Sequence, residues 1–148
     1  MAKERYVTGG LVLRAADSKE ADKILTVLTA DRGKLTVIAK GARSRRSRIA
    51  AACQLLAYSE MTLSESHGWQ YLVEASTAVL FDPLRRDVEL LALASYFAEL
   101  AEAAVYEDLP APEILSLLLN ALYALGDLGR DPALVKAAFE LKLMSLAG

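Results

Sequence analysis

Nine consecutive residues, KGARSRRSR (40–48), bring together Lys40, Arg43, Arg45, Arg46 and Arg48. A guanidinium presents a planar fork of donors that matches two phosphate oxygens at once. Gly41 and the interleaved serines leave the backbone free to approach a partner closely and to follow an irregular one. The chemistry predicted is electrostatic gripping of a polyanion backbone, indifferent to base sequence. Lys34 and Lys40 bracket the segment leading into this loop, and Arg14 and Lys23 extend the same basic face. The competing reading is a solvated charge run, or a loop neutralised by carboxylates of the chain's own second half.

Sequence-tolerant binding of single strands also uses aromatic platforms. The first half offers Tyr6, Tyr58, Trp69, Tyr71 and Phe81. Trp69 is the leading candidate, because the HGW segment (67–69) is expected to be a loop between two strands. The opposing reading folds Trp69 back onto the protein. With so few aromatics, phosphate contacts are expected to outweigh stacking.

Catalytic constellations are missing from the sequence. The single histidine, His67, falls in the HGW turn and is expected to be structural. GKL (33–35) lacks the hydroxyl residue and the upstream glycine of a phosphate-binding loop, and no dinucleotide fingerprint, nucleophile elbow or HExxH occurs. Glu99 and Glu102 share one helical turn with no histidine near them, which fits a solvated face. The single cysteine, Cys53, excludes an internal disulfide and a cysteine-clustered zinc site within these residues. The expectation is a binding protein, without catalytic residues, cofactor or metal.

The charge distribution agrees. The net charge is −2, yet residues 1–48 hold 12 Lys and Arg against 5 Asp and Glu, whereas residues 49–148 hold 5 against 14. Such asymmetry points to a polyanion-facing front half and an acidic remainder. With 54% hydrophobic and 24% charged residues over 148 positions, the chain is globular. MAKERY at the start carries no apolar targeting core, and the run Ile114 to Leu125 is too short to cross a bilayer. A cytoplasmic, nucleoid-associated protein is expected.

The elements that must position the basic loop follow from periodicity. GLVLR (10–14), with Gly9 and Gly10 at its start, KILTVLT (23–29), KLTVIAK (34–40), YSEMTLSES (58–66) and QYLVEASTAVLF (70–81) read as five strands. In the third, Leu35, Val37 and Ala39 alternate with Thr36, Ile38 and Lys40. IAAACQLL (49–56) reads as a short helix between the third and fourth strands. Five strands with a helix at that connection is the order of an OB-fold barrel. The fold class is therefore α+β: a five-stranded barrel over 1–81, then a helical domain over 82–148.

The period changes at Asp82-Pro83, a helix start with Asp as cap and Pro in the first turn. Leu84, Val88, Leu91 and Ser95 form one row, and Leu90, Leu93, Phe97, Leu100 and Ala104 another, on a helix ending near Tyr106. A second helix, Glu113 to Leu125, is apolar nearly all round, with Gly126 as its C-terminal cap. Asp131-Pro132 starts a third, from Ala133 to about Leu146. Nothing polar closes it, so the helical domain is expected to be incomplete, or to cover its apolar surface in an oligomer.

The stretch EADKILTVLTADRGKLTVIAKGARSRRSR (20–48) resembles the N-terminal motif of RecO DNA-repair proteins: an EAD segment with L-T-x-L-T, a GKL strand, then K-G-A-R and a downstream S-R. The match includes Gly33, Lys34, Leu35, Lys40, Gly41, Ala42, Arg43, Ser47 and Arg48. GLVLR before it and LFDPLRRDVELLALASYFAEL (80–100) after it are also similar. The resemblance implies an N-terminal OB barrel and a C-terminal helical domain. It implies binding of single- and double-stranded DNA and annealing of complementary strands. It further implies work with RecR and single-strand-binding protein to help RecA load during gap repair, without a nucleotide. Family members continue with further helices, and many carry a zinc-binding cysteine cluster. The resemblance assigns no residue here to zinc or to single-strand-binding protein. Two other readings remain: an adaptor module with incidental nucleic-acid contact, and an RNA-binding barrel.

Overall fold

A computed structural model describes residues 4–148. Five strands, β1 (Glu4–Ser18), β2 (Asp22–Thr29), β3 (Gly33–Ala39), β4 (Tyr58–Ser66) and β5 (Trp69–Val79), close into a barrel in the order β1-β2-β3-β5-β4. All pairings are antiparallel except β3 with β5, which is parallel and rests on Val37↔Gln70 and Ile38↔Tyr71. This is the expected OB layout.

Closure demands that β1 serve two partners. Glu4 to Leu11 pair with β4, and Gly10 to Ser18 pair with β2. The strand is therefore longer than GLVLR, and its glycines lie mid-strand rather than at the start. A Cβ on Gly10 would fall 2.7 Å from Val27 Cγ1 and 2.9 Å from Met61 Sδ. The register shifts between Val12 and Arg14, a bulge of the kind that bends a strand. The backbone of Val12 bonds to the 50s loop instead: its amide donates to Ala57 O (3.1 Å) and its carbonyl accepts from Leu56 N (2.8 Å). These two bonds draw that loop onto the barrel. The helix expected over 49–56 shrinks to one 3-10 turn, Ala51–Cys53, with Leu56 at a φ of 65°.

Val12, Leu25, Val27, Leu35, Val37, Met61, Leu63 and Leu72 fill the barrel, with Ala42, Ile49 and Cys53 over one end. The alternation along β3 holds: Leu35, Val37 and Ala39 are buried while Thr36 and Lys40 are exposed.

The first helix is broken, where periodicity predicts one. α1 (Asp82–Arg85) is followed by α2 (Val88–Ala104). Asp82 is not the cap; Phe81 occupies that position at a φ of 54° with no capping side chain. Asp87 is the cap, accepting from the amides of Glu89 (3.0 Å) and Leu90 (3.1 Å). A short carboxylate that bonds free helix amides favours a fresh start. The break re-aims α2, so Ala94, Phe97, Ala98 and Ala101 point inward and Val88 lies in solvent. Arg85 ties the break to the barrel by donating to the carbonyls of Leu80 and Leu55.

α3 (Pro112–Gly126) buries Ile114, Leu115, Leu118, Ala121, Leu122 and Leu125. Gly126 is not its cap. It is still helical, and a Cβ there would sit 3.1 Å from Leu84; Gly129, at a φ of 58°, makes the turn. α4 (Pro132–Ala147) starts as expected, with Asp131 accepting from Ala133 N at 3.0 Å. Phe139 of α4 stacks on Phe97 of α2 at 4.5 Å between centroids. One apolar cluster joins Leu11, Leu13, Leu28 and Leu56 of the barrel side to residues of all four helices. The outer side of α4 leaves Leu134, Leu141 and Met144 exposed, the uncovered surface that its sequence predicts. Among the described residues no helix is long and apolar enough to cross a membrane.

The connection from α2 to α3 locks onto β3. Lys34 N donates to Tyr106 O (3.3 Å) and Asp108 N to Lys34 O (3.1 Å). Gly33, at a φ of 63°, passes so close that a Cβ would lie 2.0 Å from Leu109 O.

Candidate nucleic-acid interface

The 40–48 loop leaves the end of β3 beside the β1–β2 hairpin. It is a chain of turns rather than a slack tether: Ser44 N bonds to Gly41 O (3.0 Å) and Ser47 N to Ser44 O (3.1 Å). Gly41 N donates to Asp22 Oδ1 at 2.8 Å. Ala42 and Ile49 are buried and plug the barrel end. Gly41 contributes its positive φ of 68°, which a residue with a Cβ adopts at a cost.

Arg43 belongs to this anchoring. Its Nη2 donates to the carbonyls of Lys19 (2.9 Å) and Ser18 (3.3 Å), its Nε to Asp22 O (3.2 Å), and Asp17 lies at 3.6 Å. Arg45, Arg46 and Arg48 differ. All three are exposed, and among the described residues their side chains make no hydrogen bond or ion pair. Neutralisation of the loop by the acidic helices is thus absent among the described residues.

Lys40 stands at the loop's root with its ammonium 5.3 Å from the centre of the Tyr71 ring. Lys34 is at the far end of β3, roughly 20 Å away at the usual rise per strand residue. Its Nζ reaches Glu102 O at 3.5 Å. Arg14 pairs with Glu102 at 2.7 Å. Both cations therefore face the helices, and the structure does not bring them to the loop. Lys23 pairs opposite Ala39, next to the loop's root, but also opposite Asp17.

Trp69 is not in the hairpin loop. The turn is His67–Gly68, both at positive φ, and Trp69 opens β5 opposite Ser66. Two consecutive positive-φ residues suit a tight hairpin, so His67 has a conformational role. Trp69 is 55% exposed, so its ring lies outside the core. It shares a face of β5 with Tyr71, two residues on.

Sequence reasoning missed two cations. Arg32, to which the sequence reading gives no role, donates from Nε to Asp108 Oδ1 at 2.7 Å, lies 3.4 Å from Glu65 and covers the Tyr6 ring at 5.0 Å. The Arg32 hydrogen bond holds the Asp108 carboxyl below the usual carboxylate range. Arg5, read only as part of a polar start, lies on the outer face of β1 opposite Ser64. Its partner positions come from barrel closure, which no local pattern encodes. Among the described residues no group of three or more His, Cys, Asp or Glu is placed to hold a metal ion.

The chain is similar to known proteins over nearly all of its length. Residues 1–81 match the family model described as Recombination protein O N terminal, and residues 85–148 match Recombination protein O C terminal. Proteins named DNA repair protein RecO are similar over most of the chain. That of Exiguobacterium sibiricum is 38% identical over 139 residues, 94% of this chain and 55% of the relative. That of Acetivibrio thermocellus is 33% identical over 141 residues, 95% of this chain and 56% of the relative. That of Bacillus subtilis is 32% identical over 139 residues, 94% of this chain and 54% of the relative. The chain thus spans a little over half the length of these relatives.

Proposed function

The chain belongs to the RecO family of DNA repair proteins, and from that premise we propose that it binds DNA backbones without catalysis and anneals complementary strands. Within gap repair it would serve as a recombination mediator, acting with RecR and single-strand-binding protein to assist RecA loading on single-stranded DNA. The observation that carries the reading is the set Arg45, Arg46 and Arg48: exposed, clustered and without internal partners among the described residues. Annealing needs cations that screen two strands while holding neither rigidly. Three unengaged guanidiniums on an anchored loop fit that need, because the anchoring is done by Arg43 and Ala42 instead. Lys40 continues the cationic path, and Trp69 offers a face for base stacking. Lys34 and Arg14 are weaker candidates, since their contacts are with Glu102.

The test is a strand-annealing assay with complementary oligonucleotides, with and without single-strand-binding protein. The Arg45→Ala/Arg46→Ala/Arg48→Ala variant should anneal far more slowly than the wild type. Equal rates would remove the loop from the mechanism.

A second reading, a protein-docking adaptor, is favoured by the exposed Leu134, Leu141 and Met144 on α4. Capture of repair partners that survives nuclease treatment and loop neutralisation would support it over the first.

A further inference from the structure

Barrel closure builds a small polar cavity on the outer wall that no local sequence pattern announces. Arg5 of β1 pairs with Ser64 of β4, Ser64 with Tyr71 of β5, and Tyr71 with Ile38 of β3. Directly paired residues share a face, so these four side chains form one row across four strands. The row lines a cavity of about 240 Å³ together with Lys40 and Ser66. Two cations border it. Among the described residues, neither the Arg5 nor the Lys40 side chain makes an ion pair with a carboxylate. Between them Ser64 is only 4% exposed, and its hydroxyl is a buried side-chain group with no hydrogen-bond partner among the described residues. A buried unpaired hydroxyl costs free energy in the unliganded protein. An anion seated between the two cations would accept its proton.

We infer that this cavity is a subsite for one phosphodiester of a bound polynucleotide, held by Arg5, Lys40 and the Ser64 hydroxyl. The inference rests on the DNA-binding reading and extends it. Lys40 roots the arginine loop and borders the cavity, so a strand leaving the loop passes directly over the row. The phosphate would draw the Lys40 ammonium off the Tyr71 ring and leave Tyr71 as the cavity wall.

The test measures anisotropy of a labelled short thymidylate oligomer across a salt series, with thermal unfolding in parallel. Arg5→Gln should lower the slope of log K against log salt by about 0.7, the value for one single-strand phosphate contact. Ser64→Ala should weaken binding roughly tenfold, as loss of a hydrogen bond to a charged group does, while raising the unfolding midpoint. The Arg45→Ala/Arg46→Ala/Arg48→Ala variant is the control. If it weakens binding while Arg5→Gln keeps the wild-type slope, the subsite is overturned and the loop reading stands. If it too binds as the wild type does, the polyanion reading itself falls.

Discussion

The guanidinium of Arg43 donates to the carbonyl oxygen of Lys19 at 2.9 Å. The first arginine of the basic loop is thus a strut against the β1–β2 hairpin, and the three that follow are held out by it. Arg43→Ala should therefore destabilise the fold by about 1–2 kcal/mol, a partly exposed charged hydrogen-bond set being worth less than a buried one. Thermal unfolding should register roughly 3–6 °C. Arg45→Ala or Arg46→Ala should leave the midpoint nearly unchanged.

Two glycines with similar φ separate steric contact from backbone strain. Gly33→Ala meets Leu109 O as well as a positive φ, whereas Gly41→Ala meets nothing within 4 Å. The strain alone costs about 1 kcal/mol. Urea unfolding should show a loss near that for Gly41→Ala and well over 2 kcal/mol for Gly33→Ala. Equal losses would mean that the 105–109 connection yields without resistance.

Cys53 lies under the loop, fully buried. Burial pushes its thiol up to about 11, with Lys23 opposing weakly. The native thiol should resist a disulfide reagent at pH 8 and react at once in denaturant. An unfolded thiol ionises near 8.5, so above that pH the native state holds the extra proton. Stability from this group is complete below pH 8.5 and declines as pH rises toward 11. Cys53→Ala should flatten that decline.

Trp69 is the chain's one tryptophan. It shares its face of β5 with Tyr71, which borders the Lys40 cavity. A thymidylate oligomer passing along this wall should quench tryptophan emission in proportion to occupancy. Unchanged emission at saturation would confine the strand to the loop.

What the sequence made legible was periodic or compositional. KLTVIAK alternates because one side of β3 is core, and that alternation survives in the barrel. Asp131-Pro132 is a cap and first turn whose chemistry is complete within three residues. The basic run was equally visible, since charge counts need no fold. The misreadings share a cause. Asp82-Pro83 reads as the helix start, and only the inward packing of Phe97 with Ala94, Ala98 and Ala101 selects Asp87 instead. Gly126 reads as a cap but makes room for Leu84, 42 positions earlier in the chain. Lys34 and Arg14 counted as basic surface until α2 brought Glu102 beside them. Arg5 and Ser64 gave no sign at all, because their meeting depends on β4 returning to β1.

Unengaged guanidiniums at the barrel's end are the proposed phosphate grip. The most direct measurement is the salt dependence of single-strand binding for the wild type and for the Arg45→Ala/Arg46→Ala/Arg48→Ala variant. Removing three contacts should reduce the log–log slope by about 2, at roughly 0.7 per phosphate. A variant whose slope and affinity match the wild type would show that these arginines do not hold the strand.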